Sequence, residues 1–432
     1  MKRPVLILGM VPRITTPIAR SLDRQGVAVD VATFSVIERP VGSRAIRNCW
    51  HVPDPGVSSS GFVDALRSLI REHRHDMLIP ANDVALSAIV QHYGSFTELL
   101  HVACPPPEIT KRVLDKNQTL AAAQQCGIRI PRSFIVHSSA ELAEAGRKVS
   151  FPIVLKPSRK KPSDEFKTCV LSDPANLRQR FPVGRTFDPP MLVQEFCRGE
   201  GVGVELLMRN GEALAVFQHR RLKELPPEGG VAVIAIAERP HPGLVQSSVA
   251  LLRALQWEGI AMVEYKVDPW NGAATLMEVN GRYWGTISLP LLAGMNFPLH
   301  HWNMVHGHAL QVPSAYGVGT KWRWTAGWIS RVHDLLLDAR RGRSQRQSLY
   351  TALGALSEDF TSSVCDALFS SADPMPGIVE ILRTIKDLAI ADLRRVRRVA
   401  RPSPQIGDPP AVLAGRVTTL QEVRDGKVDS RT

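Results

Sequence analysis

The sequence predicts a mixed α/β and α+β protein: an N-terminal Rossmann-like domain on a parallel sheet, a middle domain on an antiparallel sheet, and a mostly helical C-terminal extension. Three observations predict it. Short apolar runs alternate with helical stretches over roughly the first 105 residues, the pattern of a parallel sheet covered on both faces. The middle of the chain holds apolar runs joined by Asn210-Gly211 and by Pro269-Trp270-Asn271-Gly272, both turn signals between strands. Beyond Asp373-Pro374-Met375-Pro376-Gly377, apolar positions recur at helical spacing.

Composition sets the limits. The 432 residues suffice for about three units of ~150 residues. No apolar stretch reaches the ~18 residues that span a bilayer. The run after Met1-Lys2-Arg3 is short, is interrupted by Pro12-Arg13 and lacks a small-residue cleavage site, so it reads as a buried strand and not a leader. The six cysteines are dispersed without a Cys-x-x-Cys pair, which argues against a disulfide framework or zinc site and fits a reducing cytoplasm. The net charge of +12 suits nucleic acid, a membrane surface or an anionic small molecule, and charge alone does not choose.

In chain order, Val5-Leu6-Ile7-Leu8-Gly9 is the first strand, residues 15–25 a helix, 27–33 a strand, 62–73 a helix and Met77-Leu78-Ile79-Pro80 a strand. Gly9-Met10-Val11-Pro12-Arg13 lacks the Gly-x-Gly-x-x-Gly of a dinucleotide site, so this scaffold is expected without that cofactor. The first domain covers 1–109 and the second 110–310. Asp115-Lys116 opens a helix that Gly127 ends. Residues 128–136 are extended. Phe151-Pro152-Ile153-Val154-Leu155-Lys156-Pro157 is a buried strand with a lysine at its end, which is either a ligand-binding group or a surface lysine. A basic segment follows at 158–164. Met191-Leu192-Val193-Gln194-Glu195-Phe196-Cys197 is another strand, 202–208 and 213–219 form the hairpin, and 241–256 is a helix.

The most informative stretch is Ile260-Ala261-Met262-Val263-Glu264-Tyr265-Lys266-Val267-Asp268. Alternation puts Ala261, Val263, Tyr265 and Val267 on one face and Glu264, Lys266 and Asp268 on the other. The returning strand, 274–280, places Glu278 and Asn280 on one face. The hairpin therefore sets Glu264 beside Glu278 and Asn280. Two carboxylates in apolar strands repel unless a cation lies between them, and magnesium takes such oxygen ligands together with phosphates. Arg282, two residues on, reaches the same face and suits a transferring phosphoryl group. A half-exposed hairpin with a solvated acidic face is the simpler alternative.

These residues resemble the ATP-grasp superfamily, in its uncharacterised carboxylate–amine ligase-like branch, with a distant likeness to the carbamoyl-phosphate synthase large subunit and biotin carboxylase. The likeness covers about residues 1–310. It rests on the order of Asp115-Lys116, Leu155-Lys156-Pro157, Gln194-Glu195-Phe196, Glu264 and Glu278-Val279-Asn280-Gly281-Arg282-Tyr283-Trp284-Gly285. The resemblance implies a two-lobed ATP-grasp domain, with a nucleotide lobe over 130–197 and a metal lobe over 198–310. It implies ATP contacts at Lys116 and Lys156, and an adenine-binding hinge at Gln194, Glu195, Phe196 and Cys197, with Glu200 nearest the ribose. It also implies Mg2+, with Mn2+ as a substitute, at Glu264, Glu278 and Asn280, phosphoryl or acyl-phosphate stabilisation by Arg282, and a substrate carboxylate or phosphate at Arg220 or Arg221.

The activity implied is that of an ATP-dependent ligase joining a small-molecule carboxylate to an amine through an acyl phosphate. The alternatives are an ATP-grasp phosphotransferase and a non-catalytic nucleotide-binding regulator. No nucleic-acid partner is expected, and a homo-oligomer is left open. His301 and His308 are spaced for one helical face, and Trp322, Trp324 and Trp328 read as packing. The C-terminal region, 311–401, is expected to be helical, and its basic end, from Arg394 to Arg401, either touches an anionic membrane surface or packs on protein. Residues 402–432 read as a disordered polar tail.

Overall fold

The computed structural model of the protein describes residues 2–35, 40–158, 168–226, 229–341 and 364–399, the side chains of 338–341 and 396–399 excepted. The described chain divides into two compact units, Met1–Lys386 and Asp387–Thr432. The expected tail and almost all of the basic segment at 158–164 lie outside the described residues.

The first unit opens with the parallel sheet. Its strands are β1 (Val5–Leu8), β2 (Val29–Thr33), β3 (Asn48–His51), β4 (Met77–Pro80) and β5 (His101–Val102), in the order β3-β2-β1-β4-β5. The helices α1 (Pro12–Asp23), α2 (Ser59–His73), α3 (Asp83–Gln91), α4 (Tyr93–Thr97) and α5 (Pro107–Leu114) connect and cover them. Both faces are apolar because both are covered. Leu6, Leu8 and Leu78 pack with Phe62, Leu66, Leu86 and Phe96 on one side. Val5, Ile7, Val29, Val31 and Ile79 pack on the other, in a cluster that continues into the large antiparallel sheet described below. The helix read at 15–25 begins earlier, at Pro12, a residue whose fixed φ suits a first helical turn.

Asp115 caps α6 (Lys116–Gln125) by accepting from the Asn117 N–H, and Gly127 follows at φ +70. Next come β6 (Ser133–Ser138), α7 (Ser139–Lys148), β7 (Ile153–Pro157), β8 (Cys169–Leu171), α8 (Pro174–Arg180) and β9 (Thr186–Glu195). These four strands form a small antiparallel sheet, β6-β9-β7-β8, closed by Leu142, Ala145 and Leu177 from the helices.

The large sheet follows. It contains β10 (Glu200–Arg209), β11 (Glu212–Leu225), β12 (Val231–Glu238), then after α9 (Pro242–Ala254) β13 (Gly259–Val267) and β14 (Ala274–Asn280). Asn210 and Gly211 both have positive φ, 53° and 74°, as the two-residue hairpin turn demands. After α10 (Ser288–Leu292) and α11 (Phe297–Val305) the chain adds β15 (Lys321–Arg323), α12 (Thr325–Arg341), β16 (Val364–Asp366) and α13 (Met375–Val399). The sheet order is β14-β13-β10-β11-β12-β15-β16. The C-terminal region is thus mostly helical but also lends two strands to this sheet. Helix α11 ends at Val305, so His301 and His308 do not share a helical face. Among the described residues no helix is long and apolar enough to cross a membrane.

Alternation along β13 separates two cores. Ala261, Val263 and Tyr265 pack with Leu251, Leu252 and Trp257. Ile260 and Met262 pack with Phe217, Trp284 and Trp322 toward the parallel sheet. Trp257 is fully buried and donates its indole N–H to Ile260 O at 3.0 Å. Gly281 lies on this ring, and a Cβ there would come within 2.4 Å of Trp257 Cη2. Gly281→Ala is therefore expected to lose about 1–3 kcal/mol of stability in urea unfolding, and unchanged stability would contradict this packing.

Candidate functional site

Strands β13 and β14 run antiparallel, with Glu264 directly opposite Glu278 and Met262 opposite Asn280. Asn280 is buried, and its amide N–H groups donate to Glu264 Oε1 at 2.9 Å and Glu278 Oε1 at 3.3 Å. The hairpin thus brings together the three oxygen-bearing side chains that the alternation predicts. The second Glu264 oxygen lies 2.5 Å from Arg221 Nη2. Arg221 also meets Glu224 Oε1 at 3.4 Å and donates to Gly230 O at 3.0 Å, and Lys266 Nζ sits 3.1 Å from Glu224 Oε2. Burial works against the Arg221 charge, but Glu264 and Glu224 outweigh it and raise its pKa.

Arg282 reaches the same group from the end of β14. Its guanidinium holds Asp83 in a two-point pair, at 2.9 and 3.1 Å, and donates to Tyr283 O at 2.9 Å. Burial opposes its charge, Asp83 more than restores it, and Glu278 and Glu264 add to the effect. Asp83 follows β4 at the start of α3, with Asn82 as the cap. The carboxyl edge of the parallel sheet is where ligands enter open α/β sheets, and here that edge supplies a wall of the site. A shallow cleft is lined by Asp83, Lys116, Glu278, Asn280 and the apolar Val113 and Leu120.

Lys116 donates from Nζ to Pro157 O at 3.2 Å, which ties α6 to the end of β7. Lys156 lies on β7 opposite Leu192 of β9. Gln194 is buried and donates from Nε2 to Ser133 Oγ at 2.8 Å. Glu195 accepts from the Arg132 N–H at 3.1 Å, and the Phe196 N–H donates to Pro152 O at 3.3 Å. Burial and then Glu195 raise the Cys197 pKa, whereas the charges of Arg129, Lys156 and Lys266 lower it. Cys197 therefore lies within electrostatic reach of Lys156 and Lys266.

Arg220 and Glu200 do not join the carboxylates. Successive residues on a strand point to opposite faces, so Arg220 faces away from Arg221. It bridges Glu238 at 2.6 Å and Glu200 at 3.0 Å.

Sequence reasoning missed three pairings. Asp83 follows the cap residue Asn82 after an apolar strand, but nothing local tied it to Arg282, 199 positions away. The other two pairs are Glu205 with His219, and Arg13 with Trp324. Glu205 interrupts an apolar strand and hydrogen-bonds His219 Nδ1 at 2.5 Å, both side chains being buried. Burial raises the Glu205 pKa. The imidazole lies across Gly203, where a Cβ would come within 2.4 Å of its Cε1, and Gly203 pairs with both Glu264 and His219. Glu278, Glu264, Gly203 and His219 thus form one row across four strands.

The donor set fits a hard divalent cation. It consists of two carboxylates and a carboxamide, all able to present oxygen, the ligand type that magnesium and manganese prefer. Asn280 uses its N–H groups to bridge the carboxylates, and turning the amide presents Oδ1. Among the described residues no three His, Cys, Asp or Glu side chains gather as a metal cluster.

Residues 187–326 match the family described as "ATP-grasp in the biosynthetic pathway with Ter operon". The chain is 23% identical over 259 residues to the carbamoyl phosphate synthase large chain of Beutenbergia cavernae, covering 53% of this chain and 22% of that one. It is 22% identical over 258 residues to the D-aspartate ligase of Enterococcus faecium, covering 54% and 61%. It spans less than two thirds of either relative. The crystal structure of L-amino acid ligase from Bacillus licheniformis superposes with a TM-score of 0.58 at 18% identity, over 70% of this chain and 74% of that one, and so shares the fold.

Two predictions follow from the charges. Asp83→Ala strands a buried guanidinium and is expected to cost about 3 kcal/mol in chemical unfolding, whereas a loss below ~0.5 kcal/mol would show that Arg282 does not depend on it. Glu380 of α13, half-buried, has its pKa pushed up to about 7 by burial, against the hydrogen bond from Trp324. The folded chain then keeps a proton that the unfolded chain releases between the ordinary glutamate range and about 7, so stability falls as pH rises through that window. Glu380→Gln should remove the fall and be more stable than wild type by about 1–3 kcal/mol at pH 8, and near equal at pH 4.5. Equal stability at both pH values would contradict the raised pKa.

Proposed function

We propose that this chain, a protein of the ATP-grasp superfamily, is an ATP-dependent ligase that joins a carboxylate to an amine. The observation that carries the proposal is the facing pair Glu264 and Glu278, bridged by Asn280 and bordered by Arg221, Arg282 and Lys116. A site with this many fixed cations beside a paired-carboxylate metal set suits a polyphosphate and a developing phosphoryl charge.

In the proposed reaction, a carboxylate oxygen attacks the γ-phosphorus, the bond to the β-phosphate oxygen breaks, and ADP leaves. The amine lone pair then attacks the acyl carbon, inorganic phosphate departs, and the nitrogen gives up a proton. Lys116 and Lys156 bind the phosphates, and Gln194, Glu195, Phe196 and Cys197 border the base. Glu264, Glu278 and Asn280 would hold a Mg2+ or Mn2+ ion, which would supply charge neutralisation on the phosphates. Arg282, fixed by Asp83, presents its remaining charge to the acyl phosphate without reorganising. Arg221 neutralises Glu264 and is the cation closest to it, so its release from Glu264 frees a charge for the transferring group.

The test is ATP cleavage with a panel of acids in the presence of hydroxylamine. The expected result is ADP formation that depends on one acid, together with its hydroxamate. Glu278→Gln is expected to lower that rate by about 10²–10³-fold or more while its melting temperature stays near that of wild type. Transfer of phosphate to a hydroxyl without a hydroxamate would favour a phosphotransferase, and wild-type rates in Glu278→Gln would remove that residue from the site.

A further inference from the structure

Arg13 stands apart from the other arginines of this site. Arg221 and Arg282 each hold a carboxylate, at 2.5 and 2.9 Å. Among the described residues, the Arg13 guanidinium donates no hydrogen bond, and it lies 4.2 Å over the Trp324 ring. Its other wall is Gly285, where a Cβ would come within 3.0 Å of Arg13 Cζ. Gly285 comes three residues after Arg282, so Arg13 borders the end of β14 that carries the phosphoryl-binding arginine. Burial, with the nearby charges of Arg282 and Arg221, lowers the Arg13 pKa to about 10 against the pull of Glu380. The half-buried guanidinium therefore lies over an indole with no carboxylate in contact, and a bound carboxylate would supply one.

Two further features point the same way. Arg13 is the second residue of α1, whose cap residue Val11 contributes no side-chain hydrogen bond and whose first turn has no acid. Pro12 has no N–H and the Ile14 and Thr15 N–H groups donate to Val11 O, so the Arg13 N–H is the first-turn donor left for an anion. Across Trp324, Glu380 Oε2 accepts from the indole Nε1–H at 3.1 Å, and no hydrogen bond or ion pair joins Glu380 to Arg13. A cation over the ring and an acid at its edge, not bonded to each other, complement a small zwitterion. Gly327 packs against this ring, where a Cβ would come within 2.1 Å of Cε3. The indole is therefore a fixed floor.

We propose that Arg13, the N-terminus of α1, Trp324 and Glu380 form the subsite for the amine substrate, and that this substrate is an amino acid. Its carboxylate docks on Arg13 in the planar two-point manner of guanidinium, and its ammonium faces Glu380. The inference rests on the ligase reading above. A simple amine would leave Arg13 without an anion.

The test is calorimetric titration of each of the twenty standard amino acids into the full chain saturated with a non-hydrolysable Mg–ATP analogue. The carboxamide of the best binder follows as a second ligand. At least one amino acid is expected to bind wild type. Its carboxamide should bind at least about ten-fold more weakly. Arg13→Gln should bind acid and carboxamide equally, and Arg13→Lys should fall between. Should Arg13→Gln fail to fold, the Arg13→Lys loss carries the comparison. The assignment is overturned if no amino acid binds wild type, if the carboxamide binds wild type as well as the acid does, or if Arg13→Lys and Arg13→Gln both match wild type. The nucleotide titration separates the two claims. Failure of wild type to bind the Mg–ATP analogue overturns the ligase reading, whereas normal nucleotide binding with no amino-acid response overturns the Arg13 subsite alone.

Discussion

Glu264 and Glu278 face each other across adjacent antiparallel strands, and two carboxylates at that spacing need positive charge or donors beside them. Asn280 supplies donors to both, and Arg221 supplies charge to one. The requirement shapes everything nearby. Gly203 must lack a side chain so that the adjacent strand admits His219 beside this row. Lys266 and Glu224 extend the alternating charges outward. Arg282 completes the group only because Asp83 holds it from the other sheet. A cation that binds the carboxylates competes with Arg221 for Glu264, so binding and arginine release are coupled in the proposed ligase.

The site lies where three separate parts of the chain meet. The parallel sheet offers its carboxyl edge through Asp83 and Arg13. The large sheet offers the carboxylates and Arg221. Helix α6 brings Lys116, tied to the end of β7 in the small sheet. A single apolar cluster, running from Val5 and Ile7 through Phe217 and Met262 to Trp284 and Trp322, fixes the first two against each other. Burial there is what holds charged groups from distant sequence positions at hydrogen-bonding distance. The C-terminal residues Trp322 and Trp324 close the same cluster, so the region after the main hairpins supports the sheets that carry the site.

Much of this was legible in the sequence because strand alternation is local. Glu264, Glu278 and Asn280 declare a shared face by spacing and by the turn between them. The Asn210-Gly211 hairpin and the Asp115 cap were legible for the same reason. The pairing of Arg282 with Asp83 was not, because sequence pattern has no term for contacts between residues so far apart. The faces of Arg220 and Arg221 could have been separated by alternation, and the structure assigns only Arg221 to the carboxylates. Strand β3, with its half-exposed alternation, lacked the apolar run that announced its neighbours. Strands β15 and β16 are three residues each, too short to show any period. Arg13 looked like an interruption of an apolar start, and its meaning depends on Trp324, which arrives in space only through the large sheet.

The central claim is that Glu264 and Glu278 hold the divalent cation of a bound nucleotide. The most direct measurement is ATP affinity with and without Mg2+, in wild type and in the Glu264→Gln, Glu278→Gln double variant. The account predicts that Mg2+ tightens ATP binding to wild type by about ten-fold or more, and that the double variant loses this dependence while remaining folded. Equal Mg2+ dependence in the two proteins would contradict it.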